Sequence, residues 1–194
     1  MTPEEIEEVR RQIGREPRGA INIETWCPKG HPQVVRVYPL LRRSVDSPKS
    51  APILPRDYEF FPTLFWLTCP DLCRKVSLLE AKGWIDRFEQ EIDDDPALQQ
   101  SYREDHESYS RERWDLLTEE DREVITALGW KDRVMRRGIG GLFHLHTVKC
   151  LHLHLAHHLA RGSVLGSRLV ERSSLDPCPS SACSGGSTSE RILP

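Results

Sequence analysis

The sequence predicts an α+β fold, a small antiparallel sheet of about three strands packed by several helices. Two runs in the first third, residues 20–26 and 33–38, have the apolar or alternating pattern of strands, and a third apolar run spans 60–68. From residue 70 onward, apolar residues recur at helical spacing instead. Because strands come early and helices late, this order argues against a doubly wound α/β fold.

The first elements are a short helix and a hairpin. A helix is predicted over residues 2–13, since Thr2 is a good N-cap and Pro3 suits the first helical position. The strand runs at 20–26 and 33–38 flank the turn Cys27-Pro28-Lys29-Gly30-His31-Pro32, a pattern typical of a β-hairpin. Residues 41–57 hold three prolines and are predicted to be a surface loop. Pro62 restricts the third run to an edge strand or to a start at Thr63.

Helices are predicted for most of the remaining chain. The first begins at Pro70 or Asp71 and reaches about Phe88, with Gly83 able to divide it. Others span 95–117, 118–128 and 147–161, and the last of these ends at Gly162. From Ser173 the chain is rich in Ser, Pro and Gly. We therefore predict one domain over residues 1–172 and a disordered tail over 173–194.

Composition excludes several classes of protein. No apolar run approaches the roughly 18 residues of a membrane helix, and the charged N-terminus lacks the apolar region of a signal peptide. We therefore expect a cytoplasmic protein in which disulfides are disfavoured. The net charge of −3 argues against a nucleic-acid partner.

The overall charge hides a strong asymmetry. Residues 86–130 contain 5 basic and 15 acidic side chains, whereas residues 131–194 contain 9 basic and 4 acidic ones and six of the eight histidines. The acidic segment is interpreted either as a solvated helical face or as a surface that docks on the basic end of the same chain.

The histidine-rich segment 146–162 carries the strongest chemical signal. At about 100° per residue, Cys150, His154 and His157 stack on one face of a helix, opposite an apolar face that includes Leu151 and Leu155. Spacings of four and seven residues would bring these donors within reach of one metal ion. A solvated histidine face on an amphipathic helix remains the alternative, and His152 falls at the edge of the apolar face.

Two further cysteines stand where a metal ligand would be well placed. Cys27 lies in the hairpin turn, and Cys69 ends the third strand just before a helix N-terminus. Cys27, Cys69, Cys150 and one histidine would form a closed tetrahedral site suited to zinc. An iron–sulfur cluster on Cys27, Cys69, Cys73 and Cys150 fits less well, because the usual close cysteine spacings are absent. Cys73 is otherwise a core residue, and the pair Cys178 and Cys183 lies in the predicted tail.

Other patterns are less specific. His106-Glu107 matches half of a metalloprotease helix, but the second histidine is missing because residue 110 is Ser. Arg15, Arg18 and Lys149 lie near glycines and could bind an anion. The sequence contains no Walker A motif, no GxSxG and no dinucleotide-binding GxGxxG.

Five segments together resemble a known family. They are Ile13-Gly14-Arg15-x-Pro17-Arg18-Gly19, Cys27-Pro28-x-Gly30-x-Pro32, Phe61-Pro62-Thr63-Leu64-x-Trp66-Leu67-Thr68-Cys69-Pro70, His106-Glu107-Ser108-Tyr109 and Val148-Lys149-Cys150-Leu151-His152. In this order, over roughly residues 10–170, they resemble the bacterial domain-of-unknown-function family 501, which has no established activity.

The resemblance has several implications. It implies a small cytosolic bacterial protein. Members of this family are often encoded near genes for a septum-formation initiator and an exopolyphosphatase. The family pattern allows Cys or His at the position of Cys69, which fits a zinc ligand, and it includes His157. The resemblance therefore favours Cys27, Cys69, Cys150 and His157 as ligands, with His152 and His154 as alternates.

Three functions follow as hypotheses. The first is a zinc-stabilised binding or regulatory protein, with a protein partner in cell division or envelope physiology. The second is a metal-dependent hydrolase, in which an open coordination position holds water and His106 or Glu107 acts as base. The third is a metal-free scaffold that docks a protein partner through its acidic helices. No catalytic residue is assigned.

Overall fold

The computed structural model describes residues 1–43, 52–144, 146–173 and 175. The strands are β1 (Ala20–Trp26), β2 (Pro32–Val37), β3 (Leu40–Arg42), β4 (Tyr58–Phe60) and β5 (Phe65–Leu67). The helices are α1 (Pro3–Ile13), α2 (Pro70–Ala81), α3 (Trp84–Asp94), α4 (Pro96–Asp115), α5 (Glu119–Ala127), α6 (Lys131–Met135), α7 (Leu151–Arg161) and α8 (Val164–Arg172). The predicted α+β class is confirmed.

The central sheet has three antiparallel strands in the order β1-β2-β5. Its hairpin is the predicted one, and Val35 of β2 pairs with Ile23 on one side and with Trp66 on the other. Alternation along β2 sends Val35 and Val37 to the face covered by Val9 of α1, while Val34 packs with Phe65 and with Ala156 of α7 on the opposite face. The sheet therefore lies between α1 and α7.

The segment predicted as a surface loop, residues 41–57, is partly ordered into a second sheet. Leu41 and Arg42 belong to β3, which pairs with β4 in antiparallel fashion and buries Leu40 against α5 and α6. Strands of three residues are too short for alternation to mark them. Residues 44–51 lie outside the described part of the chain, as does the predicted tail 173–194 apart from Ser173 and Leu175.

Local capping chemistry starts the helices where the sequence predicts. Thr2 and Glu5 form a complete capping box on α1, and Asp95 accepts hydrogen bonds from the amides of Ala97 and Leu98 at the start of α4. Thr118 caps α5 in the same way. Gly83, with φ of 75°, divides the helix predicted over 70–88 into α2 and α3, because this left-handed conformation ends a helix.

The last three described helices, α6 to α8, differ from prediction. The helix predicted over 147–161 begins four residues later, at Leu151, with Cys150 in extended conformation as its N-cap. Two helices, α6 and α8, were not predicted. In α8 the Ser163 hydroxyl accepts a hydrogen bond from Gly166 N–H at 3.3 Å, and Leu165 and Leu169 are buried.

The acidic and basic segments contact each other. Three arginines of the basic end pair with acidic side chains of α3, α4 and the residue between them. These pairs are Arg161–Glu112 at 2.7 Å, Arg168–Glu91 at 3.0 Å, Arg168–Asp95 at 3.3 Å and Arg172–Glu91 at 2.5 Å. Part of the charge asymmetry therefore serves intramolecular docking, the second of the two interpretations above.

The main core lies between α2, α3, α4, α7 and α8. It contains twelve buried residues from these helices and their approaches, among them Val76, Phe88, Tyr102, Leu151 and Leu165. Because α2 and α7 both contribute to it, the C-terminal turn of α2 is held beside the start of α7. Among the described residues, no helix combines the length and the apolar composition that a membrane span requires.

Gly138 provides a test of the packing beneath α4. Its φ of −77° is open to any residue, but a Cβ there would overlap the Nδ1 atom of His106. That nitrogen accepts a hydrogen bond from Ile139 N–H at 2.9 Å, so His106 cannot move without losing it. We expect Gly138→Ala to lower the free energy of unfolding by about 3 kcal/mol.

The measurement is urea denaturation of Gly138→Ala beside Gly14→Ala. Gly14 has φ of 68° and open space around it, so its alanine variant carries only the cost of the left-handed backbone, about 1 kcal/mol. Equal losses in the two variants would contradict the steric argument.

Candidate metal centre

Three side chains from two helices meet where the end of α2 touches the start of α7. Glu80 lies in the last turn of α2, Cys150 is the N-cap of α7, and His152 lies in the first turn of α7. One candidate ligand atom from each of them lies within 4.8 Å of the other two. Within the described ranges, no other group of three or more His, Cys, Asp or Glu side chains meets that distance.

The Glu80 carboxylate organises the cluster. Its Oε1 atom accepts a hydrogen bond from the Leu151 amide at 2.6 Å and lies 3.1 Å from Nδ1 of His152. The first amides of a helix have no intrahelical partner, so a carboxylate at that point satisfies one and faces the positive end of the helix dipole. Glu80 therefore caps α7 from another helix.

The far side of the His152 ring is held by α2. Its Nε2 atom lies 3.1 Å from the carbonyl oxygen of Cys73 and 3.3 Å from Oγ of Ser77. A carbonyl oxygen can only accept a hydrogen bond, so Nε2 carries a proton and donates a hydrogen bond to the Cys73 carbonyl. Such a bond from one ring nitrogen to a backbone carbonyl typically orients a histidine whose other nitrogen binds a metal.

Electrostatics couple the three groups. Burial lowers the pKa of His152, but Cys150 and Glu80 outweigh burial and raise this pKa to about 10. For Glu80, burial raises the pKa, yet His152 and the α7 amides bring it below its ordinary value. Without a metal, His152 and Glu80 therefore form an imidazolium–carboxylate pair, and an ion would displace the proton on Nδ1.

The structure does not bring the predicted ligands together as a set. Cys150 and the alternate His152 lie in the cluster, whereas Cys27, Cys69 and His157 do not belong to it. Cys27 lies in the hairpin turn, where its sulfur accepts from the His31 amide at 3.4 Å. Cys69 is the N-cap of α2 and is buried in the main core. The four cysteines considered for an iron–sulfur cluster do not form such a group either.

The stacked face predicted for Cys150, His154 and His157 was wrong for a structural reason. Because α7 begins at Leu151, the extended Cys150 does not share a helical face with the later histidines. His154 and His157 are only 1–2% exposed, so a solvated histidine face was equally wrong. His157 stacks on Phe65 with ring centroids 6.0 Å apart, and His154 Nε2 lies 3.2 Å from the Tyr102 hydroxyl.

The remaining sequence candidates are spread over the molecule. His106 is 1% exposed, and its neighbour Glu107 points to solvent. Of the three anion-binding candidates, Arg18 pairs with Glu59 at 3.1 Å and Lys149 donates to the Gly140 carbonyl at 3.0 Å. Arg15 instead lines a cleft beside His152.

Sequence reasoning missed Glu80 altogether. It lies 70 residues before Cys150, at the partly buried end of an amphipathic helix, and no motif or spacing connects the two positions. Only the packing of α2 against α7 reveals it.

Comparison with known proteins adds the family. No curated protein and no solved structure matches the chain. The model of the family described as "Protein of unknown function (DUF501)" matches residues 23–171. This range lies close to the 10–170 expected from the sequence segments, and it covers well over half of the 194 residues. The chain therefore belongs to the DUF501 family.

Proposed function

We propose that this protein binds one zinc ion through Glu80, Cys150 and His152. In this proposal the ion stabilises the fold of a protein with a binding or regulatory role. The observation that carries the proposal is the convergence of three donor atoms within 4.8 Å at the contact of α2 and α7. A thiolate, an imidazole and a carboxylate together form a donor set that zinc accepts well.

The surroundings of the three side chains support a metal role. The hydrogen bond from His152 Nε2 to the Cys73 carbonyl leaves Nδ1 as the nitrogen available to an ion. All three residues are partly buried, which gives an ion both access and some protection from water. An ion there would connect helices 70 residues apart in sequence, and its binding energy would add to the stability of the fold.

Metal content provides the direct test. We expect untagged protein purified from zinc-supplemented cells to contain about one equivalent of zinc by elemental analysis, because three ligands of this kind can hold one ion. The Cys150→Ser variant should retain less than about a tenth of that amount, because it lacks the thiolate. Cys27→Ser serves as the matched control and should keep its zinc, since Cys27 is not part of the cluster.

X-ray absorption of the zinc-loaded protein sharpens the assignment. The proposed centre predicts one sulfur in the zinc coordination shell, whereas a site on Cys27, Cys69, Cys150 and a histidine would give three. Zinc loss in Cys27→Ser, or three sulfurs, would replace the proposed ligands by the alternative set. A wild-type protein with less than about a tenth of an equivalent of any transition metal would overturn the metal proposal altogether.

A metal-dependent hydrolase is the second candidate, and the ligand count favours it. Three protein ligands leave one position of a tetrahedral zinc ion for water, as catalytic sites require. His106 does not suit the role of base, since it is buried and its Nδ1 accepts from the Ile139 amide. A fourth protein ligand in the absorption spectrum would favour the purely structural role.

A further inference from the structure

Beside the candidate metal centre, a cleft of about 470 Å³ opens between α1, β5, α2 and α7. Its polar lining consists of Gln12, Arg15, Thr63, Thr68, Cys73 and His152, and its apolar lining includes Trp66 and Leu153. None of the described residues that line it is acidic. A volume of this size falls in the range of small-molecule sites.

Arg15 differs from the neighbouring arginines in its surroundings. It follows Gly14, whose left-handed conformation ends α1, and its guanidinium carbon lies 5.0 Å from the centre of the Trp66 ring. Within the described part of the chain it has no carboxylate partner, unlike Arg10, which pairs with Glu7 and Glu16, and Arg18, which pairs with Glu59. A guanidinium over an indole face gains a cation–π attraction and keeps its N–H edges available to an anion.

A second donor in the cleft, the Thr63 hydroxyl, also lacks a partner within the described part of the chain. The hydroxyl of Thr63 makes no hydrogen bond to any described residue, although Thr63 lines the same cleft. A guanidinium beside an indole ring and an unused hydroxyl, in a cleft whose described lining has no acidic residue, form an environment that favours negative charge.

We propose that this cleft binds a small molecule through an anionic group, a carboxylate or a phosphate, held by the N–H edge of Arg15. The guanidinium fork matches the oxygens of either group in two parallel hydrogen bonds. The inference goes beyond the metal proposal, because Arg15 is outside the Glu80, Cys150 and His152 cluster and only His152 lines both sites.

Calorimetric titration of the full-length protein tests this inference, with inorganic phosphate and succinate as separate probes. We expect at least one of them to bind with a Kd of about 1 mM or tighter. The probe that binds more tightly identifies the group as phosphate or carboxylate. Arg15→Gln should weaken binding about tenfold or more, because a charge-assisted hydrogen bond is lost.

Arg11→Gln is the matched control. Arg11 is an exposed arginine of α1 that does not line the cleft, so this variant should bind the probe as the wild type does. The indole N–H signal of Trp66, assigned with Trp66→Phe, should shift during the wild-type titration. No binding of either probe below about 10 mM, or equal binding by Arg15→Gln and wild type, would overturn the proposal.

Repeating the titration on chelator-treated protein separates the cleft from the metal. Affinity that persists without metal supports Arg15 as the anion-binding group, whatever the outcome of the zinc measurement. Affinity that disappears with the metal, in protein whose circular dichroism spectrum shows that it is still folded, would make the anion a metal ligand and would refute the assignment to Arg15.

Discussion

Replacing Arg113 by Met should lower the free energy of unfolding by about 3–5 kcal/mol, the largest loss that we expect from any single substitution in this protein. Arg113 is completely buried in α4, although it carries a charge. Burial lowers its pKa to about 10, which still leaves the guanidinium protonated at neutral pH. Methionine would retain much of its volume and none of its donors.

The guanidinium binds backbone carbonyls in place of a carboxylate. Nη1 donates to the Pro62 carbonyl at 2.8 Å and Nε donates to the Val134 carbonyl at 3.2 Å, while Gly138 and Arg137 contribute further acceptors. The rings of Phe60 and Tyr109 flank it, with their centres 5.7 and 5.8 Å from its central carbon. Arg113 therefore joins α4 to the segment after Phe60 and to the chain that leaves α6.

The expected loss follows from these acceptors. Without the guanidinium, the carbonyls of Pro62, Val134, Arg137 and Gly138 lose a donor, and each buried unpaired group costs roughly 1–3 kcal/mol. Removing a buried charge recovers part of that sum, since its desolvation no longer opposes folding. Arg113→Lys should lie between wild type and Arg113→Met, because one ammonium cannot reach all four carbonyls.

Urea denaturation of Arg113→Met, beside Arg111→Met, measures this effect. Arg111 is exposed on the same helix, so its methionine variant should stay within about 0.5 kcal/mol of the wild type. A loss below about 1 kcal/mol in Arg113→Met would mean that the carbonyls find other partners, and the proposed joining role would be wrong.

The elements that could be predicted are those specified by local chemistry. Thr2 with Pro3, Asp95 with Pro96, and Thr118 each mark a helix start, because an N-cap hydrogen bond spans only two or three residues. The hairpin could be predicted for the same reason, since its turn and both strands lie within residues 20–38. Ser163 before Leu165 and Leu169 is a signal of the same kind for α8, and it was overlooked.

The start of α7 shows why the rest could not be predicted. The helical spacing of Val148, Leu151 and Leu155 extends the predicted helix back toward Thr147, but the helix begins at Leu151, where the Glu80 carboxylate caps its first amide. That contact depends on the packing of α2 against α7, so the sequence around residue 151 does not predict it. The same packing creates the candidate site, so Cys150 and His152 were foreseen as donors while Glu80 was not.

Lowering the pH should destabilise the protein steeply, between about pH 6.5 and 4.5, because of its buried histidines. Burial lowers the pKa of His106 to about 3 and that of His157 to about 4. His154 is fully buried, and its pKa also falls well below the ordinary value. In the unfolded chain these imidazoles titrate near 6.5.

The sign follows from proton uptake. Below about pH 6.5 the unfolded chain binds protons at these histidines, whereas the folded protein does not until the pH approaches about 4, so acid favours unfolding. Each such histidine removes about 1.4 kcal/mol per pH unit, or about 2 kcal/mol at pH 5. His106 and His157 together therefore contribute a loss of about 4 kcal/mol at that pH.

Other groups titrate nearby with different signs. Burial and the neighbouring Glu24 carboxylate raise the pKa of Glu112 to about 7, which opposes the histidine effect over part of the same range. His152, with a raised pKa, is already charged in the folded protein at pH 6.5, whereas the unfolded chain is only partly protonated at this residue there, so further acidification adds a small stabilisation of opposite sign to the histidine loss. We therefore compare the slope of the free energy of unfolding against pH between the wild type and a variant.

Urea denaturation at pH 6.5, 5.5 and 5.0 would measure that difference. His106→Asn keeps an acceptor near the position of Nδ1 for the Ile139 amide but cannot take up a proton, and His157→Gln is likewise uncharged. Each should lose less stability on acidification than the wild type, by about 1.4 kcal/mol per pH unit, even where its stability at pH 6.5 is lower. His144→Gln, at an exposed position, should keep the wild-type slope. If both buried variants kept the wild-type slope of unfolding free energy against pH, His106 and His157 would have to take up protons in the folded protein. Each has a buried ring nitrogen without a partner among the described residues, so such uptake would require water or a counter-charge beside that nitrogen.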